Sequence, residues 1–554
     1  MKVIYTLLIL LIPFVGFGND LTGCTDSTAL NYNPSAITDD GNCCYPEFGS
    51  TWNQLGDDID GEYINDLSGH SVAISDDGTV IAIGAPYNDG NGTDAGHVRI
   101  YQFDGTTWNQ IGQDIDGEVA WDESGKSVSL SSDGSFIAIG SPYNAFGGGV
   151  NWTNEGQVRI YNWDGNSWNQ VGQDIIDQTN ASANDHFGSS VSISNNGNIV
   201  AIGAPKADFL NGSNDDAGNV FVYEYNGVNW NLKGNIIQGE NGFDESGGSV
   251  SLSGDGNTLA IGAIHNDGNG ASSGHVRIFE WDGANYTQIG QDIDGEAAND
   301  YSGKSVSLSD NGNIVAIGAP YNDGNGGASG HVRIFKNIAG NWTQLGQDID
   351  GEDAEDNSGW SVSLSSDGNR LGIGALQNNG NGISAGHVRV YQFNGNVWIQ
   401  IGLDIDGEVA DDGSGYSVSL NSDGGIVTIG SPYNDGNGTL SGNVRIYNIE
   451  SDCSSGCTDS TALNYDPLAN TDDGSCLFCN TTQITFNYSG SAQSFIVPSG
   501  VNVIKVHAYG ASGGSGVNGN GGLGGYVSAD IPVSPFDILN IYVGGVGNIG
   551  GGYN

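Results

Sequence analysis

Positive charge is scarce in this chain: 14 Lys and Arg stand against 65 Asp and Glu, a formal net charge of −51 over 554 residues. So acidic a surface repels phosphate backbones, which excludes nucleic acid and anionic membranes as partners and favours cations or cation-bridged glycans. Helix-forming composition is lacking as well. Only 14% of residues are charged and 37% hydrophobic while 92 are Gly, a balance that suits a turn-rich all-β protein. Long apolar runs are missing apart from Val3–Phe17, which follows Lys2 and ends at the small-x-small site Gly16-Phe17-Gly18. That pattern predicts a secretory leader over residues 1–18 and no transmembrane span in the mature chain, which is then secreted or held at the cell surface. Catalytic signatures are lacking too: neither H-E-x-x-H nor a complete G-x-x-x-x-G-K-[ST] occurs. The Gly514–Gly519 match to G-x-G-x-x-G precedes no βαβ unit, and carboxylates repeated in equivalent settings do not supply the contrasting pair a glycosidase needs. The expectation is a protein that is not an enzyme.

Cysteine is absent from the long middle of the chain. Cys24, Cys43, Cys44, Cys453, Cys457, Cys476 and Cys479 all flank it. Two segments repeat each other, GCTDSTALNYNPSAITDDGNC from Gly23 and GCTDSTALNYDPLANTDDGSC from Gly456, which pairs Cys24 with Cys43 and Cys457 with Cys476 at identical spacing. Neither segment holds a His, so zinc is the weaker reading. Cys453 with Cys479 is a third pairing that leaves Cys44 over. These acidic modules, residues 19–48 and 451–480, are too small to bury much core and need the staple.

What fills the middle is repetition. From Ser127 the unit reads SVSLSSDGSFIAIGSPYN, then GQVRIYNWDGNSWNQVGQDI. Its aromatic marker returns at Trp52, Trp108, Trp168, Trp230, Tyr286, Trp342 and Trp398, spaced 56 to 62 residues. The Val of its V-R-I-Y-like run returns at Val98, Val158, Val220, Val276, Val332, Val388 and Val444, so both markers count seven units. Each unit predicts four short strands: A (S-V-x-L-S), B (x-x-A-I-G-A/S), C (H-V-R-I-Y) and D (W-x-Q-I-G). Pairs such as Asp77-Gly78 and Asp133-Gly134 join A to B, and Asp104-Gly105 and Asp164-Gly165 join C to D; they accept the positive φ of tight hairpins. Four-stranded antiparallel units repeated seven times fit an all-β, seven-bladed β-propeller over residues 49–450. The region opens on a lone D strand (Thr51–Gly56) and ends after a C strand (Asn443–Asn448). The early strand therefore completes the last blade, which holds the ring shut without the caps an open solenoid requires.

The unit resembles the FG-GAP repeat of integrin α-type propellers. The third copy opens with Phe187-Gly188 and closes with Gly203-Ala204-Pro205, while others read S-G, as at Ser124-Gly125 and Ser302-Gly303. Units of that family often carry a calcium loop between A and B. Here that link is a tight turn, so the resemblance does not place calcium there.

The long, acidic connections are B–C and D–A, which share one face of a propeller. The D–A loop reads D-I-D-G-E-x-x-x-D, giving Asp58, Asp60, Glu62 and Asp66, then Asp114, Asp116, Glu118 and Asp122. Oxygen ligands at alternate positions suit a hard cation, which makes calcium the one cofactor the sequence points to. The competing reading has the last Asp capping the following turn and the others solvated. His97, His275, His331 and His387 share the first position of strand C and read as surface or interblade hydrogen-bonding groups. Arg99, Arg159, Arg277, Arg333, Arg389 and Arg445 alternate away from the buried Val and Ile, to pair with carboxylates. Irregular copies expand their loops side by side and bring Phe146, Trp152, His186 and Phe209, a candidate patch for stacking on sugars or anchoring a partner; loop drift is the alternative.

Residues 481–554 change to a glycine-rich β pattern, with alternation in Val503–Tyr509, that runs to Asn554 without a closing strand and reads as truncated. The function expected is adhesion or recognition of an extracellular glycan or protein. A polysaccharide-acting enzyme and a structural matrix component are the rivals.

Overall fold

The computed structural model describes residues 51–449 except 146–153, 178–183 and 210–214, together with shorter stretches at 7–13, 22–23, 38–39, 455–456, 471–472, 482–486, 491–497, 501–509 and 526–541. Every regular element among these is a strand. The chain divides into two compact units, Pro46–Glu450 and the two flanks taken together.

In the central unit the first sheet is built from Ser71–Ile74, Val80–Ala85 and His97–Phe103, followed by Trp108–Gln110 and Ile115–Asp116, which both pair with His97–Phe103. All these pairings are antiparallel, and six further sheets repeat the pattern, the second of the seven with a single bridge, Val158 to Ile175, in place of the last short strand. Strand D is therefore not one strand but two short ones. The break falls at Gly112 (φ +76), where an added Cβ would lie 2.8 Å from the Trp168 ring of the next sheet. The chain steps out of the ladder to admit that tryptophan. The last sheet lacks an outer strand of its own: Asn443–Ile449 pairs with Trp52–Gln54, through Ile449 with Trp52 and Tyr447 with Gln54, and again with Ile59–Asp60.

Two rings of hydrogen bonds run around the molecule. At the A–B turns, Asp76 donates its N–H to Ser132 O (2.8 Å), Ser132 to Asn195, Asn195 to Gly254, Gly254 to Asp310, Asp310 to Ser366, Ser366 to Ser422, and Ser422 back to Asp76 (3.1 Å). Higher up, the Ser that opens strand A donates its hydroxyl to a glycine carbonyl of the next sheet, from Ser71 to Gly125 (2.8 Å) through to Ser417 to Gly69 (2.8 Å). Both cycles return to their start after seven sheets, so the ring is closed.

The cores lie between neighbouring sheets. Ile74, Ile81 and Ile83 of the first sheet pack with Val444 and Ile446 of the last. Each tryptophan marker pins its sheet to the preceding one through its indole N–H, Trp108 to Leu55 O (2.8 Å) and Trp52 to Ile401 O (3.2 Å) among them. Tyr286 instead donates to Gly256 O at 2.6 Å.

In the second unit, Leu7–Pro13 lies between Thr482–Phe486 and Val501–Tyr509, which in turn pairs with Tyr526–Pro532. Leu7–Pro13, part of the run read from the sequence as a leader, is thus a strand here. Gln493–Ile496 pairs with Ile538–Ile541, and Phe486, Phe495, Val497, Ile504 and Ile541 form a small core. The two cysteine modules share one feature, a parallel pair at equivalent places: Thr22–Gly23 with Thr38–Asp39, and Ser455–Gly456 with Thr471–Asp472. Cys24, Cys43, Cys457 and Cys476 lie outside the described residues.

Candidate functional site

The long connections gather on one face. In six of the D–A loops the last Asp caps the turn, Asp66, Asp122, Asp244, Asp300, Asp356 and Asp412: Asp66 Oδ2 accepts from Tyr63 N (3.0 Å) and Asn88 Nδ2 (3.0 Å), and Asp122 Oδ2 from Glu118 N (2.9 Å) and Val119 N (3.0 Å). Both carboxylates are buried. Asp58 and Asp114 accept from Gln54 and Gln110 at 2.5 and 2.6 Å. Asp60 and Asp116 sit in the short second half of strand D, where burial and then Asp58 or Asp114 raise their carboxyls above the ordinary range. Their backbone carbonyls accept Nη2 of Arg99 and Arg159, both at 2.7 Å. These arginines are buried and stack over Tyr101 and Tyr161, so each clamps its sheet to the preceding one. Glu118 accepts from Gln157 Nε2 at 3.0 Å, whereas Glu62 leans towards His97 and Asp114 of the next sheet.

The strand-C histidines are not surface groups. His97, His275, His331 and His387 are each 1% exposed, and Nε2 of three of them has no hydrogen-bond partner. Alternation of the strand misplaces them because the neighbouring sheet covers the outward side as well.

Within the D–A loop, one position is left-handed in every sheet: Asn65, Trp121, Asn184, Phe243, Asn299, Glu355 and Asp411 all have φ between 65° and 73°. Asn and Asp tolerate this region, while a bulky aromatic there is strained. Trp121 is nonetheless 43% exposed and Phe243 63%, with Tyr63 (67%) beside them on the same rim. Between Trp121 and Phe243 comes the loop that holds His186, whose ring lies 4.6 Å from Tyr143. Phe209 is half-buried, its N–H on Asp215 Oδ1 at 3.2 Å. Phe146 and Trp152 lie outside the described residues. Trp121 and Phe243 were missed in the sequence; aligning the seven loops shows an aromatic where other copies carry Asn, Asp or Glu, but only the backbone angle gives that its meaning.

Nearer the axis, the residue just before strand A differs from sheet to sheet. His70 lies 4.8 Å from Tyr416, whose hydroxyl is 3.0 Å from His70 Nε2, and Tyr416 meets Trp360 and Tyr433. Lys304 sits 4.5 Å over the Trp360 ring, and Lys126 pairs with Glu123 at 3.0 Å. Burial pushes His70 down to about 3 and Lys304 below the ordinary lysine range. Lys206 pairs with Glu245 and, at 3.4 Å, with Asp216.

Repeated four-stranded antiparallel sheets joined in a ring place the protein in the β-propeller class. More narrowly, three stretches of it match the FG-GAP repeat, at residues 60–101, 168–223 and 293–335. Among solved structures it is similar to Kuenenia stuttgartiensis hydrazine synthase at 13% identity, over 70% of this chain and 98% of that one, with a TM-score of 0.44. It is also similar to the β-propeller domain of Cps50 (Swd1) from Myceliophteria thermophila at 9% identity, over 72% and 100%, with a TM-score of 0.42. No curated protein matches the sequence.

Proposed function

We propose that this is an exported recognition protein, a seven-bladed propeller flanked by disulfide-stapled acidic modules and a glycine-rich β domain. Its long-loop face takes an extracellular glycan or protein. The observation that supports this reading is the pair Trp121 and Phe243, exposed aromatics held at a left-handed position that the same loop elsewhere gives to Asn, Asp or Glu. Strain of that kind costs about 1–3 kcal/mol and is retained where the side chain is used. Exposed indole and phenyl rings stack on sugar faces or anchor a protein partner. The surrounding carboxylates favour a neutral or basic ligand, or one that calcium bridges to the face.

The double variant Trp121→Asn with Phe243→Asn tests this, because Asn is the fold's own residue at that position in Asn65, Asn184 and Asn299. A glycan array and a pull-down from the native extracellular milieu should identify a ligand for the unaltered protein. The variant should lose at least tenfold in affinity while its thermal midpoint holds or rises. Unchanged binding by a folded variant would remove the rim aromatics as the contact and favour a structural matrix role. Release of sugar products would favour the enzymatic one.

A further inference from the structure

Four of the seven sheets repeat a cluster that ligand recognition at the rim aromatics does not use. Glu62, His97 and Asp114 each bring one ligand atom within 4.8 Å of the others, and so do Glu240, His275 and Asp292, then Glu296, His331 and Asp348, then Glu352, His387 and Asp404. In every case the Glu belongs to the loop that leaves one sheet, while the His and Asp come from the third strand and outer edge of the next. The cluster therefore straddles a sheet boundary.

The imidazole is the telling member. It is 99% buried in all four clusters, and in three of them its Nδ1 stands 3.8–4.0 Å from Glu Oε2, beyond hydrogen-bond reach. Both carboxylates are steadied from behind. Arg Nη1 lies 3.6–3.9 Å from Glu Oε1, and a Gln Nε2 donates to Asp Oδ1 at 2.5–2.6 Å. Such outer contacts orient ligands around a metal.

The remaining sheets supply an internal control. There the His position holds Gln157, Asn219 or Asn443. Gln157 donates to Glu118 Oε2 at 3.0 Å and Asn443 to Glu408 Oε2 at 3.5 Å. In these two sheets an amide thus satisfies the carboxylate directly, while Asn219 donates to the Asp208 carbonyl at 3.4 Å; in the His-containing sheets the imidazole makes no hydrogen bond to the carboxylate.

We propose that each of the four His-containing clusters binds one divalent cation of the zinc class, which staples two adjacent sheets together. One imidazole nitrogen and two carboxylates suit zinc or its transition-metal neighbours, whereas calcium takes oxygen ligands. Bonds of about 2.0–2.2 Å require the carboxylates to move inwards. The Glu side chains are 37–45% exposed and can make that movement while solvent supplies the entry path.

The test uses the full chain, stripped with chelator and dialysed against zinc chloride, with bound metal counted by mass spectrometry of the elements. The unaltered protein should hold four more zinc ions than the variant H97N/H275N/H331N/H387N, and zinc should raise its thermal midpoint by several degrees with no rise in the variant. E62Q/E240Q/E296Q/E352Q, which keeps every histidine, should behave like the first variant. Equal zinc content in the unaltered protein and both variants, or a midpoint equally indifferent to zinc in all three, overturns the proposal. Binding at the cysteine modules or the general acidic surface would give that result.

Discussion

The glycine next to last in each second strand sets how closely neighbouring sheets approach. A Cβ on Gly84 would lie 2.1 Å from Gly125 O of the next sheet, and one on Gly318 equally close to Gly359 O. Close backbone contact here is what lets the Ser71-type hydroxyl reach across. Asp76, at the A–B turn ring, shows the opposite kind of constraint. Burial, and then Asp310, Asp77 and Asp133, raise its carboxyl to about 6. A folded-state value above the unfolded one means the native protein binds the extra proton, so stability present below about pH 4 is lost as pH rises through about 6. Asp76→Asn should therefore stabilise the protein at pH 7, by about 1 kcal/mol once solvent screening is allowed for, and leave it unchanged at pH 4. Thermal melts of both proteins at the two pH values measure this. Residues whose role is set by their own repeat were readable in advance: the tryptophan pins and turn glycines recur at fixed spacing. The roles of His97 and Glu62 were not, because their partners come from different sheets 35 residues apart, and no local pattern records that meeting.

At the scale of strands, hydrophobic alternation and the Asp-Gly turns were sufficient to place A, B and C. Strand D was only half readable. Its W-x-Q run is a strand, but the following Ile-Asp pair returns to the ladder after the excursion at Gly112, where the next sheet's tryptophan intrudes. The D–A loop carboxylates looked equivalent in sequence, yet the capping Asp is buried and the Glu faces the adjoining sheet. Strand D of the last sheet has a further duty. Leu55 N donates to Ile446 O at 2.8 Å, the same bond that Ile289 N makes to Ile278 O within a sheet whose strands are consecutive. Leu55→Pro and Ile289→Pro each orphan a carbonyl, which costs about 1–3 kcal/mol. Only Leu55→Pro also loosens the junction of the ring, so its thermal midpoint should fall further. Equal falls would mean that closure contributes no additional stability.

For the whole molecule, the phase of the repeat carried the most information: starting on D and stopping on C requires the two ends to share a sheet. The loop face is where that regularity fails, since its exposed aromatics and axial side chains differ from copy to copy. Sequence could locate the irregular loops but not the strained backbone beneath Trp121 and Phe243. Everything at that face depends on the ring being closed through Trp52–Gln54 and Asn443–Ile449. Asn53 lies opposite Asn448 in that pairing. Opposed residues on antiparallel strands lie about 4.5–5.5 Å apart at Cα, within the range a disulfide spans. The direct measurement is peptide mass spectrometry of the Asn53→Cys, Asn448→Cys variant under oxidising conditions. The account predicts a near-quantitative bond between positions 53 and 448 within one chain, with undiminished thermal stability. Their absence from each other's peptides, or a bond formed only between chains, would contradict it.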